Sequence, residues 1–306
     1  MNTVTRFAPS PTGYLHLGHA YAALFADAKA KEAGGRLLLR IEDIDPGRSR
    51  PEFEAAILED LKWLGLSWEK PVRRQSEHIG DHRAALMILE DRGLIYPCFC
   101  TRKEIQAEIE NSGMAPHGAP SGAPAGPDGP LYPGTCRSLS PEERRRSADE
   151  GRPFALRLDM AQAAALGAAD AGPLTWTDRE RGTVFAEPEI FGDVVLARKD
   201  TPTSYHLAVT VDDHLQGVTL VTRGEDLFAA THVHRLLQEL LRLETPDYHH
   251  HRMLTTETGE RLAKRDQEAG RTGGPTGKQR PATIRSLREA GKTPAEVREM
   301  AGLDSP

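Results

Sequence analysis

An α/β fold built around a parallel, nucleotide-binding sheet is what this 306-residue sequence predicts. Three observations carry it. Strand-like and helix-like stretches alternate through residues 1–97 in βαβα order, the pattern of a sheet that binds ligands at its strand C-termini. His16-Leu17-Gly18-His19 stands where a first apolar run (Val4, Phe7) gives way to a helical one at residues 20–30. Glu42-Asp43-Ile44-Asp45, followed by Arg48, closes the second strand, at the edge that faces the ligand crevice.

Each element follows from its own residues. Residues 36–42 (Arg-Leu-Leu-Leu-Arg-Ile-Glu) form a short apolar strand ending in acid. In residues 51–64, Phe53, Ile57, Leu61 and Leu64 recur at the spacing of an amphipathic helix, and Leu86, Met87 and Leu89 supply the apolar positions of another at 79–92. Residues 113–134 are dominated by Gly, Pro and Ala, which predicts a flexible loop and no regular element. Residues 153–158 and 185–196 read as strand-rich, and residues 203–211 lead into Asp212-Asp213-His214. Residues 227–243 read as an amphipathic helix, followed by a polar, helical tail, and no internal repeat is visible.

The length allows two domains, or one with insertions. Hydrophobic content of 38% and charged content of 27% are those of a soluble globular protein. No apolar run approaches the ~18 residues that span a bilayer. Met-Asn-Thr-Val-Thr precedes the first motif directly, which leaves no room for a signal peptide, so a cytoplasmic protein with no membrane partner is expected. A net charge of −6 argues mildly against non-specific nucleic-acid binding. Local basic runs remain, at Arg144-Arg145-Arg146 with Arg152 and from Arg261 through Arg285 to Arg298. Taken singly, such runs are ordinarily solvated faces. All three cysteines lie between Cys98 and Cys136, which is no disulfide framework.

A helix start with glycine and histidines is a place for a nucleotide phosphate. Free N–H groups and the helix dipole attract the anion, glycine admits the backbone closely, and imidazoles donate to developing charge. An HxGH tetrapeptide alone is shared by synthetases and nucleotidylyltransferases. Preceded by Arg6-Phe-Ala-Pro-Ser-Pro-Thr-Gly13, it resembles the N-terminal signature of class I glutamyl-tRNA synthetases. The resemblance implies a Rossmann-type parallel sheet with a zinc-binding insertion and a small C-terminal helical, stem-contact-like region. It implies ATP with Mg²⁺ as co-substrate, His16 and His19 as catalytic residues, and His16, Gly18 and His19 as ATP-binding residues.

Further residues are carried over from that family. Glu42, in the Arg-Ile-Glu-Asp-x-Asp segment, is expected to hold the amino group of glutamate. Tyr205 and Arg223 are the expected partners of its carboxylates, arginine because its fork grips a carboxylate through two parallel hydrogen bonds. Arg6, Ala8 and Ser10 complete the pocket. Val209 stands where ordinary members have asparagine, which predicts weaker or altered glutamate binding. Asp212 and Asp213 read either as site residues or as structural carboxylates capping a helix. Arg261-Leu262-Ala263-Lys264-Arg265 aligns with the second signature, Lys-Leu-Ser-Lys-Arg, and retains its second lysine. Lys264 is thereby expected to be catalytic and ATP-binding, following the leaving pyrophosphate. Tyr248-His249-His250-His251 looks like a metal tract, but the resemblance makes it a strand on the adenine side of the site.

Cys98-Phe99-Cys100 and Cys136 place two thiols one residue apart and a third across a loop, which suits tetrahedral zinc with a fourth ligand. From spacing alone the fourth ligand would be His117, and three unrelated buried thiols is the other possibility. A Cys-x-Cys … Tyr-x3-Cys arrangement occurs in short paralogues of the glutamyl synthetases, and the resemblance assigns Tyr132. The intervening loop is longer here than in that group.

A full glutamyl-tRNA synthetase continues past its second signature into helical domains that read the anticodon, whereas this sequence ends at residue 306, soon after Lys264. With the cysteine–tyrosine site, this resembles the glutamyl-queuosine tRNA(Asp) synthetases. The resemblance implies activation of L-glutamate by ATP without tRNA, and transfer of the glutamyl group to queuosine at the wobble position of tRNA(Asp). A monomer is expected. The expected partition is a first half of the catalytic domain at 1–97, a zinc-binding insertion at 98–140, the remainder of the catalytic domain at 141–245 and a stem-contact-like region at 246–306. Two alternatives stand beside it. One is a truncated glutamyl-tRNA synthetase charging the 3′ end of tRNA(Glu). The other is a non-catalytic glutamate- or nucleotide-sensing paralogue, favoured by Arg261 and Ala263 and opposed by His16, His19 and Lys264.

Overall fold

The computed structural model describes residues 2–112, 124–254 and 282–302. The first half runs β1 (Val4–Phe7), α1 (Leu17–Glu32), β2 (Arg36–Ile41), α2 (Pro51–Trp63), β3 (Glu69–Arg74), α3 (Ile79–Asp91) and β4 (Ile95–Cys98). Then come α4 (Arg102–Ser112), β5 (Ala125–Gly126), β6 (Gly129–Pro130) and α5 (Pro141–Asp149). The second half runs β7 (Ala155–Leu158), α6 (Met160–Ala171), β8 (Thr175–Asp178), β9 (Gly182–Phe185), β10 (Val195–Ala197), α7 (Tyr205–Leu215), β11 (Leu220–Gly224), α8 (Ala230–Leu241) and β12 (Asp247–His251). Two short helices close it, α9 (Ile284–Glu289) and α10 (Pro294–Met300).

β1, β2 and β3 pair in parallel in the order β1-β2-β3, and β11 pairs in parallel with β12, which pairs in parallel with β8. The two sheets meet where Val4 N–H donates to Thr219 Oγ1 at 2.9 Å and Thr219 N–H donates to Val4 O at 3.0 Å. Val4, Leu38, Trp176, Val221 and Tyr248 form one buried cluster across that seam. The parallel strands therefore end side by side, and Arg6, Ile41, Arg223 and His251 reach the same edge. This is the ligand edge of a doubly wound sheet.

Two larger cores sit to either side. One gathers α3, α6, α7 and α8 around Leu158, Leu196, Val233 and Leu236. The other packs α1 and α2 on β1 and β2. Ile284, Leu287 and Val297 of α9 and α10 belong to this second core. Ile284 N–H donates to Leu15 O at 2.8 Å, and Arg288 pairs with Asp60 at 2.9 Å. The C-terminal helices are thus anchored beside the histidine motif.

A small antiparallel sheet, β10-β7-β4, lies apart and carries Cys98 at its end. Residues 125–130 fold as a two-stranded hairpin, where composition led us to expect no regular element. Gly126 makes it possible: a Cβ there would lie 2.2 Å from Ile190 O, so only glycine lets β5 approach that backbone. Within 185–196, only 195–197 is a new strand, because residues 188–191 form a short 3₁₀ turn that buries Pro188 and Phe191. No described helix is long and apolar enough to cross a membrane.

Candidate active site

His16 is the N-cap of α1. Its Nδ1 accepts from Gly18 N–H at 3.1 Å, and His19 Nδ1 accepts from His16 N–H at 3.1 Å. The rings lie 3.7 Å apart, tilted by 31°. A ring nitrogen that accepts carries no proton, so each imidazole holds its proton on Nε2, a donor suited to a phosphate oxygen. Gly18 leaves the His16 ring room, since a Cβ there would sit 3.0 Å from His16 Cε1.

Next to this helix start, β2 and the loop after β1 are stitched together by Glu42 N–H donating to Pro9 O at 3.0 Å. That bond sets Glu42 beside the segment carrying Ala8 and Ser10. Buried Arg6 donates from Nε to Asp213 at 3.0 Å and from Nη1 to Thr222 O at 2.9 Å. Arg40, fully buried, bridges Asp213 at 2.7 Å and Glu42 at 3.1 Å. Burial pushes the Glu42 carboxyl up from its ordinary value, against the pull of Arg40 and Arg6. The Tyr205 hydroxyl is likewise raised by burial, and the charges acting on it are Arg223, Glu42, Arg6 and Asp213. Arg6, Glu42, Tyr205 and Arg223 therefore converge on one buried place, from β1, the end of β2, the start of α7 and β11.

Arg223 is held by residues that sequence reasoning did not single out for this. Its Nε donates to His250 Nε2 at 3.1 Å, its Nη1 bonds His234 Nδ1 at 3.1 Å and its Nη2 donates to Thr231 Oγ1 at 2.6 Å. His250 Nδ1 lies 2.7 Å from Asp178 Oδ2, and His234 Nε2 lies 3.1 Å from His206 Nδ1. Only a helical-face argument at 230–241 could have hinted at His234. The Tyr248–His251 run does not converge on a metal; among the described residues the cysteines are the one group that could hold an ion. Consecutive side chains on β12 go to opposite faces. Tyr248 is buried core and accepts from Gln238, His249 meets Glu180 at 2.8 Å, and His251 packs edge-on to Tyr21.

Asp212 and Asp213 cap no helix start, because both lie near the C-terminal end of α7. They are hubs of buried ion pairs instead. Asp212 accepts from Arg73 Nε at 2.8 Å and Gln75 Nε2 at 2.8 Å and lies 3.1 Å from His82 Nε2. Despite burial, His82, Arg40 and Arg73 hold its carboxyl down to about 2. Val209 is buried in the same helix. Arg261, Ala263, Lys264 and His117 lie outside the described residues.

The cysteine constellation forms a compact cluster. Cys100 Sγ lies 3.3 Å from Cys136 Sγ and 3.5 Å from Tyr132 Oη, while the Cys98 thiol meets Tyr132 Oη at 3.4 Å. Phe99 N–H donates to Cys136 Sγ at 3.3 Å and Cys136 N–H donates to Tyr132 Oη at 2.9 Å. Hydrogen bonds from Tyr132, Cys100 and the Phe99 N–H hold the Cys136 thiol below its ordinary value in spite of burial, whereas burial pushes the Tyr132 phenol well up. The Arg157 guanidinium lies 3.9 Å over the Tyr132 ring.

Comparison with known proteins shows the family. The family model described as tRNA synthetases class I (E and Q), catalytic domain, matches residues 2–304. A Rhodobacter capsulatus protein named glutamyl-Q tRNA(Asp) synthetase is 46% identical over 304 residues, covering 98% of this chain and 100% of that one. A Nitratidesulfovibrio vulgaris protein of the same name is 41% identical over 301 residues, covering 95% of this chain and 83% of that one. The crystal structure of a glutamate tRNA ligase from Elizabethkingia meningosepticum, in complex with its amino acid, superposes with a TM-score of 0.73 at 30% identity. That match covers 98% of this chain, which spans 60% of the ligase's length. The chain belongs to the class I tRNA synthetases, with a catalytic domain of the glutamate and glutamine type, and is a ligase.

Proposed function

We propose that this enzyme activates L-glutamate with ATP and Mg²⁺ in the absence of tRNA and transfers the glutamyl group to queuosine at the wobble position of tRNA(Asp). The observation that supports it most is the convergence of Arg6, Glu42, Tyr205 and Arg223, with His16 and His19 opening the helix that follows β1. A buried carboxylate among cations suits an ammonium, and two guanidiniums with a phenol suit the two carboxylates of glutamate. The names of the Rhodobacter and Nitratidesulfovibrio relatives favour queuosine-bearing tRNA(Asp) as the acceptor.

In the first step a glutamate carboxylate oxygen attacks the α-phosphorus of ATP and pyrophosphate leaves. Glu42 anchors the amino group, and Tyr205, Arg6 and Arg223 orient the carboxylates, with Ala8 and Ser10 completing the wall. His16 and His19 donate their Nε2 protons to oxygens that gain charge, and Lys264 accompanies the pyrophosphate. In the second step a queuosine hydroxyl oxygen attacks the acyl carbon, AMP leaves with the bonding electrons, and the hydroxyl proton passes to phosphate or water.

Cys98, Cys100, Tyr132 and Cys136 fit a structural zinc. Tyr132 Oη lies 3.4 Å from Cys98 Sγ and 3.5 Å from Cys100 Sγ, and the three sulfurs lie within 4.8 Å of one another, so little rearrangement is needed to make a tetrahedral shell. Zinc would supply folding energy to the 98–140 insertion and no step of the reaction. We place the remaining boundaries at 97, 140 and 245. The 246–306 region then holds Lys264 together with α9 and α10, whose Arg285, Arg288 and Arg298 bond Glu289, Asp60 and Leu64 O within the fold.

ATP–pyrophosphate exchange tests the first step. Exchange that needs glutamate but no tRNA is expected, with a loss on the order of 10²-fold in Lys264→Ala, the scale for removing a preorganised charge partner. Exchange that starts only on addition of tRNA would contradict tRNA-independent activation.

A further inference from the structure

A cavity of about 410 Å³ lies between the start of α7 and the β5–β6 hairpin. Its lining includes Tyr132, Arg157, Arg198, Ser204, Tyr205 and His206. The volume is that of a site for a nucleoside-sized ligand. Tyr205 is shared with the glutamate pocket, so a molecule in this cavity abuts the bound amino acid.

His206 gives the cavity lining a polar group, and the fold dictates what it offers. Asp178 only accepts: two backbone N–H groups donate to its Oδ1, and Oδ2 faces His250 Nδ1 at 2.7 Å. His250 therefore donates from Nδ1 and accepts at Nε2 from Arg223 Nε, 3.1 Å away. Arg223 can only donate, so His234 Nδ1 accepts from Nη1 and its proton sits on Nε2. That proton goes to His206 Nδ1 at 3.1 Å, which leaves His206 protonated on Nε2. Burial first, then the charge of Arg223, holds the His206 and His250 rings down to about 4, so neutral tautomers are in place at pH 7. Each link has one permitted direction. His206 Nε2 is thus a fixed donor in a residue that lines the cavity, and it cannot accept a proton while His234 holds Nδ1.

We infer that this cavity receives the diol-bearing side chain of the acceptor nucleoside and that His206 Nε2–H donates to one of its oxygens, an assignment that rests on the proposed transfer to queuosine. His206 is a binding residue for the acceptor and not the base that removes its proton.

Two variants and one spectrum test this. His206→Leu removes the donor, while His206→Gln returns an amide N–H near the position of Nε2. Transfer to queuosine-bearing tRNA(Asp) and tRNA-free exchange are measured for both and for the parent, and the ring nitrogens of His206 are assigned by ¹⁵N NMR at pH 7. Transfer in His206→Leu should fall about tenfold or more beyond any change in exchange, and His206→Gln should recover part of it through a lower KM for tRNA. The spectrum should show the Nε2–H tautomer. A proton on Nδ1, or equal effects on transfer and exchange in a parent that does transfer, overturns the inference alone. A parent that exchanges pyrophosphate but labels no queuosine-bearing tRNA overturns the proposed function and the inference together.

Discussion

Arg6 on β1 and Asp213 on α7, 207 positions apart in sequence, meet at 3.0 Å in the floor of the site. The same Asp213 oxygen accepts from Arg40 Nη1 at 2.7 Å. One carboxylate thus joins the two halves of the sheet and holds the guanidinium proposed to meet the substrate. Arg6 and Arg40 hold the Asp213 carboxyl below its ordinary range in spite of burial. Asp213→Ala leaves two buried cations short of a partner, which costs about 3–5 kcal/mol for a broken buried pair. Urea unfolding should show that loss together with loss of exchange. Parent-like stability would mean that the ion cluster does not hold the halves together.

Gly18→Ala tests the histidine pair. The added methyl carbon would lie 3.0 Å from His16 Cε1 and 3.2 Å from Nδ1, so the ring must move. A shift of a few tenths of an ångström at a reacting group costs part of the roughly 10²-fold that a 1 Å misplacement costs. Exchange should fall severalfold while the melting temperature changes little. Undiminished exchange would show that the His16 orientation seen here is not the one used.

Stability should fall as pH drops from about 6.5 to about 4. The His206 and His250 rings, ordinarily near 6.5, are held near 4 in the fold, by burial first and then by Arg223. Between those values the unfolded chain binds protons that the folded chain refuses. The stabilisation is therefore complete above about 6.5 and is lost as pH falls through this window, by up to about 3 kcal/mol for a ring as buried as His250. A second loss follows between about 4 and 2 as the depressed Asp212 carboxyl titrates. Urea midpoints taken at pH 7.5, 6, 5 and 4 check this, and a flat profile would contradict it.

Removal of metal should loosen the insertion and spare the sheet. Protein purified without added metal should carry about one zinc per chain, and Cys100→Ser or Cys136→Ser should lower that content. Chelation should increase proteolysis near residues 98–140 before it affects the cores around Leu236 or Leu61. Fully active, protease-resistant protein without zinc would rule out the structural role.

Much of the first half was legible because periodicity reports burial. Phe53, Ile57 and Leu61 announce α2, and Leu37, Leu38 and Leu39 announce β2. β3 was not legible: Glu-Lys-Pro-Val-Arg-Arg is a half-exposed edge strand with no apolar signal. The hairpin at 125–130 was hidden because composition speaks against strands there, while one close backbone contact at Gly126 makes it fold. At the site, Arg6, Glu42, Tyr205 and Arg223 were legible through their resemblance to a known pattern. The chain from Asp178 to His206 was not. Its links join residues 72, 27, 11 and 28 positions apart, and no local period encodes tautomers passed between strands and helices.

The acceptor nucleotide can be read directly. tRNA(Asp) with and without queuosine, and tRNA(Glu), are stripped enzymatically of the terminal adenosine or left intact, then incubated with the enzyme, ATP and radiolabelled glutamate. Label is expected only on queuosine-bearing tRNA(Asp), and in equal amount whether or not the terminal adenosine is present. Label that appears on tRNA(Glu), or that vanishes with the terminal adenosine, would contradict transfer to the wobble base and identify a 3′-end aminoacylating enzyme.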